Sequence, residues 1–177
     1  MACLLTKGRK LPCKSAFGGI KAAYFMDFGD LGDPVYANGD GEITSITGTP
    51  TVYKFDVKGS SSLETTITSS RDTGTTFYTQ TLNLTLTYLD NATQQEIQLI
   101  AASRPQIAVE DYYGNMFLVG LENGAECTGG SVVTGTAAGD LSGFTLTMEA
   151  MEETAAPFIT SSLITTATQG TQIAPTG

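Results

Sequence analysis

Histidine and tryptophan are absent from this 177-residue chain. Without His there is no His-based triad, no imidazole general base and no imidazole metal ligand. Charge is scarce: Asp, Glu, Lys and Arg make up 15% of the chain, against about 25% in ordinary soluble domains. Cations are scarcer still, nine against 18 acids, which leaves a net charge of −9. A chain of that sign is a poor holder of nucleic acid through phosphate contacts. No apolar run approaches the roughly 20 residues of a membrane span. Cysteine is limited to Cys3, Cys13 and Cys127, an odd number at wide spacing. That pattern matches no metal knuckle or redox pair, and free, mostly buried thiols are expected. The start of the chain has only Leu4–Leu5 as an apolar pair ahead of its charges, unlike a secretory signal. Synthesis in the cytoplasm is the expectation.

What is present leans to β structure. Hydrophobic residues are 41% of the chain, and there are 20 Gly. Thr and Ser carry most of the polarity. Thr favours strands and Gly favours turns, and both are poor helix formers. The length suits one domain, able to bury a core without disulfide or metal staples.

Residues 1–18 read as an N-terminal arm. Lys7, Arg9, Lys10 and Lys14 make it basic within an acidic protein, so it is either a solvated tail or a segment that docks on the acidic surface of a neighbouring copy. A β-rich domain is expected over 19–156. Residues 20–28 form a strand with Ala22, Tyr24 and Met26 on one face and Ala23 and Phe25 on the other. A loop at 29–41 and a short strand at 42–47 lead to a half-buried strand at 51–58, with Tyr53, Phe55 and Val57 on one side. The hydroxyl-rich stretch 59–74 reads as a long loop or an extended hairpin arm, with Leu63 and Ile67 as its large apolar residues. Residues 75–89 form the best strand, about 50 Å long at 3.3 Å per residue. Its Thr79, Thr81, Asn83 and Thr85 share one face. Leu82, Leu84 and Leu86 share the other, which Gln80 interrupts.

One helix is expected over 93–103. Thr93 and Glu96 have capping-box spacing, and Pro105 stops it. A hairpin follows across Tyr113–Gly114, then a strand at 126–134 with a bulge near Gly129–Gly130, then a strand at 144–151. Residues 157–177 read as an extended C-terminal arm. The fold class expected is mainly β: a β-sandwich or barrel of about seven to nine strands with one flanking α-helix and extended arms at both ends.

Chemistry is hard to find. No phosphate loop or nucleophile elbow occurs. Asn38, Asp40 and Glu42 alternate beside glycines but lack the calcium-loop frame. Glu149, Glu152 and Glu153 read as the charged outer face and frayed end of a strand rather than a carboxylate pair. Neither a catalytic residue, a metal site nor a cofactor is expected, and an enzyme is not the reading. Arg71 stands alone in its hydroxyl-rich stretch. It is either paired with Asp72, solvated, or kept for a carboxylate at an interface.

Three stretches together carry a resemblance: GGIKAAYFMDF (18–28), SSRDTGTTFYTQTLNLTL (69–86), and the run from VEDYYGNMFLVGLENGAECTGG to TGTAAGDLSGFTLTMEAMEETAAPF (109–158). They resemble structural proteins of tailed bacteriophages of Bacteroidetes-type hosts, the major tail tube protein family. The resemblance implies a β-sandwich or barrel core with one flanking helix. It implies hexameric rings whose inner strands join into a continuous barrel, stacked into a tube for DNA ejection. The partners it implies are sister copies and other tail proteins such as sheath, tape measure or terminator. DNA would be a transient, non-specific cargo, and no membrane is involved. The location implied is the virion tail, assembled in the host cytoplasm. On that reading Thr79, Thr81, Asn83 and Thr85 face the lumen, by periodicity. Leu4, Leu5, Lys7, Arg9 and Lys10 of the arm, with Leu63, Ile67 and Arg71 of the 59–74 stretch, are the candidate inter-subunit contacts.

Two rivals stand beside it. One is a head decoration or head–tail connector protein. The other is a surface- or carbohydrate-binding β-module, which would want exposed aromatics on one face. Tyr112, Tyr113 and Phe117 are its candidates, and they read as hairpin core.

Overall fold

The computed structural model describes residues 8–10, 14, 17–37, 41–57 and 59–173. The chain is mainly β, as expected, with eleven strands and two helices among the described residues. The order is β1 (Ile20–Met26), β2 (Pro34–Tyr36), β3 (Ile43–Ile46), β4 (Thr51–Asp56), β5 (Ser62–Ser70), β6 (Thr75–Thr87), α1 (Asn91–Ala102), β7 (Gln106–Asp111), β8 (Met116–Val119), β9 (Glu126–Val133), β10 (Gly143–Glu152), α2 (Ser161–Thr166) and β11 (Thr168–Gln169).

Two sheets make the sandwich. One has five strands in the order β11-β4-β1-β7-β8, and the other has four in the order β5-β6-β10-β9. Between them lies a first core. Ala23, Phe25, Val57, Ile107 and Val109 meet Leu82, Leu84, Leu86, Phe144, Leu146 and Met148. The strict alternation of Leu with Thr or Asn in β6 sends one set inward and the other out, because successive side chains point to opposite faces. Ile97 and Ile100 of α1 pack on this core.

A second core covers the other face of the five-stranded sheet. Ala22, Tyr24, Met26, Val52, Ala108 and Leu118 are roofed by Leu31, Ile43, Ile159 and Ile164. Strand β1 is therefore buried on both faces, which is why both of its alternating residue sets are apolar.

Three local expectations are revised, and one pair of readings is decided. Helix α1 begins at Asn91, not Thr93. Its cap is Asp90, whose carboxylate accepts from the Thr93 backbone N–H at 3.3 Å, in place of a Thr93–Glu96 box. Asp90 is the stronger acceptor for the unpaired N–H groups of a first turn. Of the two readings of the 59–74 stretch, long loop or extended hairpin arm, the hairpin holds: β5 pairs antiparallel with β6 from Ser62–Asn83 to Ser70–Thr75, closed by a turn at 71–74. Residues 157–173 do not extend as an arm. The Phe158 carbonyl accepts from Ile43 N at 2.8 Å, Leu118 N donates to the Pro157 carbonyl at 2.9 Å, and Ile159 N donates to the Met116 carbonyl at 3.0 Å. This segment thus joins β8 to β3, and α2 and β11 follow with Ile164 fully buried. Tyr112 and Tyr113 are exposed at the β7–β8 turn instead of forming hairpin core. The expected bulge is present, as a register shift where Cys127–Gly129 pairs with Thr147–Met148.

Candidate functional site

The outer face of the four-stranded sheet is a field of hydroxyls. In register across β6 and β10 stand Thr85 with Thr145, Asn83 with Thr147, Thr81 with Glu149, and Thr79 with Met151. Across β6 and β5 stand Asn83 with Ser62, Thr81 with Glu64, and Thr79 with Thr66. Neighbours are tied laterally: Thr147 Oγ1 donates to Asn83 Oδ1 at 2.9 Å, and the Ser131 and Thr145 hydroxyls lie 2.7 Å apart. The four residues expected to face a lumen are thus on one surface, partly to fully exposed. None of these four strands contains Lys or Arg, and the charged side chains on this face, Glu64, Glu126 and Glu149, are all acidic. Among the described residues, strands β5 and β9 each have a ladder partner on one side only, so both edges present backbone groups that no described strand pairs.

The β5–β6 hairpin outruns the sheet. Pairing of β10 with β6 ends at Glu152–Tyr78, whereas β5 pairs on to Thr75. The tip carries Arg71, exposed and without an ion pair among the described residues, and Ile67, which is 63% exposed. Leu63 instead turns inward and packs on the first core. Arg9 and Lys10 are exposed, and Leu4, Leu5 and Lys7 lie outside the described residues.

The end of the sandwich next to this face is fixed by a buried polar clamp. Gln80 is buried. Its Oε1 accepts from Gly120 N at 3.1 Å, and its Nε2 donates to the Thr154 carbonyl at 3.2 Å. Glu152, also buried, accepts from Glu122 N and Asn123 N. Burial pushes its carboxyl above the ordinary value, and the two N–H groups only partly oppose that. Gln106 Nε2 donates to the Leu121 carbonyl at 2.7 Å. All three hold the tight connection from β8 to β9, where Gly120 sits at φ 70 and a Cβ would lie 2.6 Å from the Gly124 carbonyl carbon. Sequence reading passed over this clamp. The signal was there: Gln80 and Glu152 share the parity of the inward Leu82 and Met148. Glu152 is therefore neither frayed nor outward, and it faces away from Glu149.

Three of the described cations are engaged elsewhere. Lys21 pairs with Glu110, which also accepts from Tyr24 Oη at 2.8 Å. Burial raises the Glu110 pKa, but these two donors outweigh it and hold the carboxyl below its ordinary value. Lys54 pairs with Asp56 at 2.8 Å, and the Arg104 guanidinium lies 4.7 Å from the Phe28 ring centre. Among the described residues no three Cys, Asp or Glu side chains gather as metal ligands. Asn38 and Asp40 lie outside the described residues, and Glu42 accepts from the Thr160 hydroxyl at 2.9 Å. Among the described residues no helix is long and apolar enough to cross a membrane.

A concave feature lies where β4 and β11 approach the end of β6 and the start of α1. It is a groove of about 630 Å³. Tyr53, Phe55, Leu86 and Ile173 give it apolar walls, and the carboxylates of Asp56, Asp90 and Glu96 lie around it.

No family model matches the chain, nor does any curated protein or solved structure.

Proposed function

We propose that this chain is a structural subunit of a phage tail tube, self-assembling into stacked, hexameric rings that conduct DNA. The observation that carries the reading is the four-stranded sheet: a hydroxyl and amide outer face without a single cation, flanked by two open strand edges. An open edge is an aggregation hazard in a monomer and a template in an assembly. The β9 edge of one copy meeting the β5 edge of the next is a heterologous contact, and such contacts close into a ring when the rotation allows. Joined in this way, the sheets form one barrel with Thr79, Thr81, Asn83 and Thr85 directed at its bore. Phosphates slide past such a surface because nothing on it releases their counterions, and its acids repel them. The projecting hairpin tip with Ile67 and Arg71 is the part placed to reach an adjacent ring. The sequence resemblance to tail tube proteins points the same way.

Electron microscopy of the purified protein tests the proposal. Rings or tubes of fixed diameter are expected. Discrete particles that bind only capsids would replace it with a decoration or connector role. A monomer that binds glycans would replace it with a surface-binding module.

A further inference from the structure

We infer that copies of this chain join in one fixed register, β9 of one against β5 of the next, with Val132 seated in the cleft beneath the β5 edge. The inference rests on the self-assembly proposed above and names the contact that closes its rings. The cleft holds about 340 Å³ and opens between β5 and the five-stranded sheet. Leu63 and Thr65 line it from one side, and Ile20, Val109 and Phe117 from the other. Val132 is the complementary feature on the opposite flank of the same sheet. It stands opposite Phe144, a first-core residue, and so faces the core side, yet it is 56% exposed because β9 is an edge. Both features lie toward one end of the sheet: Val133, Gly143 and Thr87 share a row there, and β5 starts there, with Ser62 opposite Asn83.

Strand direction and register select the partner. Strand β5 runs antiparallel to β6, β6 to β10 and β10 to β9. The two edges therefore run in opposite directions, and a rotation that brings them together makes an antiparallel pair. Only an even stagger keeps the hydroxyl faces of both copies on one side of the joined sheet. Zero is disfavoured: Glu126, Glu149, Thr81 and Glu64 share a row, so unstaggered copies would set Glu126 directly against Glu64, two like charges. The row of Val132, Phe144 and Leu86 meets the β5 side at Gly59, four residues short of Leu63. A stagger of four is the smallest even one that lays all of β9 against β5. It sets Val133 opposite Ser62, Val132 opposite Leu63, Ser131 opposite Glu64 and Gly130 opposite Thr65, so Val132 enters the cleft that Leu63 lines. Four residues at about 3.4 Å, spread over four strand spacings of about 4.8 Å, give a strand tilt of about 35°, within the range of closed barrels. A stagger of six would need about 47°, outside that range.

Cysteine pairs test the register. The background is full-length protein with Cys3→Ser, Cys13→Ser and Cys127→Ala. Two pairs are added to it separately: Val132→Cys with Leu63→Cys on the core side, and Ser131→Cys with Glu64→Cys on the hydroxyl side. Directly opposed pairs alternate between wide and close spacing along an antiparallel ladder, so one of the two has the closer spacing. Glu126→Cys with Glu64→Cys is the control, joined only at zero stagger. Within one chain each pair spans opposite edges of a four-stranded sheet, about 14 Å or more, too far for a disulfide. Any bond therefore links two copies. After mild oxidation of the assembled protein, at least one of the two pairs is expected to give a ladder of covalently joined chains on a non-reducing gel, and the control none. Rings or tubes with a ladder from the control, or with none from either pair, overturn the register and leave the tube reading standing. Val132→Asp tests the seat without cysteines. Val132 is exposed in the lone subunit, so the variant should keep the parent's Tm and lose its rings; rings at the parent's yield overturn the seat. A background protein that stays monomeric at every concentration overturns both the register and the tube reading.

Discussion

Replacing Gln80 by Met tests whether the clamp at the end of the sandwich is energetic or incidental. Met is close to Gln in length and shape, so no cavity opens. What disappears is the acceptor for Gly120 N and the donor to the Thr154 carbonyl. Thr154 is exposed, so water replaces that bond at little cost. Gly120 is buried, and its N–H loses its partner. An unsatisfied buried donor costs about 1–3 kcal/mol. The apolar Met in place of an amide returns less than about 1 kcal/mol on a partial-compensation scale. The net loss is about 1–2 kcal/mol, or about 2–8 °C in Tm at 2–4 °C per kcal/mol for a chain of this size. Urea unfolding of the dispersed subunit measures it. A Q80M subunit as stable as the parent within about 0.5 kcal/mol would show that Gly120 N does not depend on Gln80, and the clamp argument would fail.

Glu152, whose folded-state pKa is raised, binds its proton more tightly in the native state than in the unfolded one. Stability therefore falls as pH rises from the ordinary carboxylate value through the raised one. Glu152→Gln should flatten that limb in a pH series of urea unfolding curves, and an unchanged limb would refute the assignment. Glu110, held low by Lys21 and Tyr24, has the opposite sign: its contribution is present above the ordinary carboxylate value and is lost as pH falls through the depressed one. Glu110→Gln should remove that acid-side loss, and because Lys21 is largely exposed the effect should be below about 1 kcal/mol. Ile164→Ala, at a fully buried anchor of the C-terminal segment, should cost about 2–5 kcal/mol in the same assay; a loss under about 1 kcal/mol would mean the segment is only loosely attached. Asn83→Lys with Thr147→Lys puts cations on the hydroxyl face. Assembled particles of this variant should retain duplex DNA at low salt and release it as salt rises, and DNA retention equal to the parent's would argue against a bore-facing position.

Periodicity made much of the sandwich legible. The alternation of Leu82, Leu84 and Leu86 with Thr81, Asn83 and Thr85 fixes two faces within one strand, because the geometry of β6 is local. The paired apolar sets of β1 likewise anticipate burial on both sides. The C-terminal segment was not legible. Pro157–Thr160 has no period, and its backbone partners, Ile43 and residues of β8, come from distant parts of the chain. The 59–74 stretch carried too few apolar residues to favour strand over loop, and only its pairing with β6 decided the matter.

The sequence by itself determined that this is a β-rich, acid-dominated chain with a basic first segment and one strand apolar on one side and hydroxylic on the other. These are properties of composition and of a two-residue repeat. Only the tertiary structure decided that four cation-free strands share a sheet, that Gln80 and Glu152 converge on one turn, and that a groove with three carboxylates opens between β4 and α1. Each of these depends on register between segments far apart in sequence, and no local preference sets that register: it follows from which faces must be buried together.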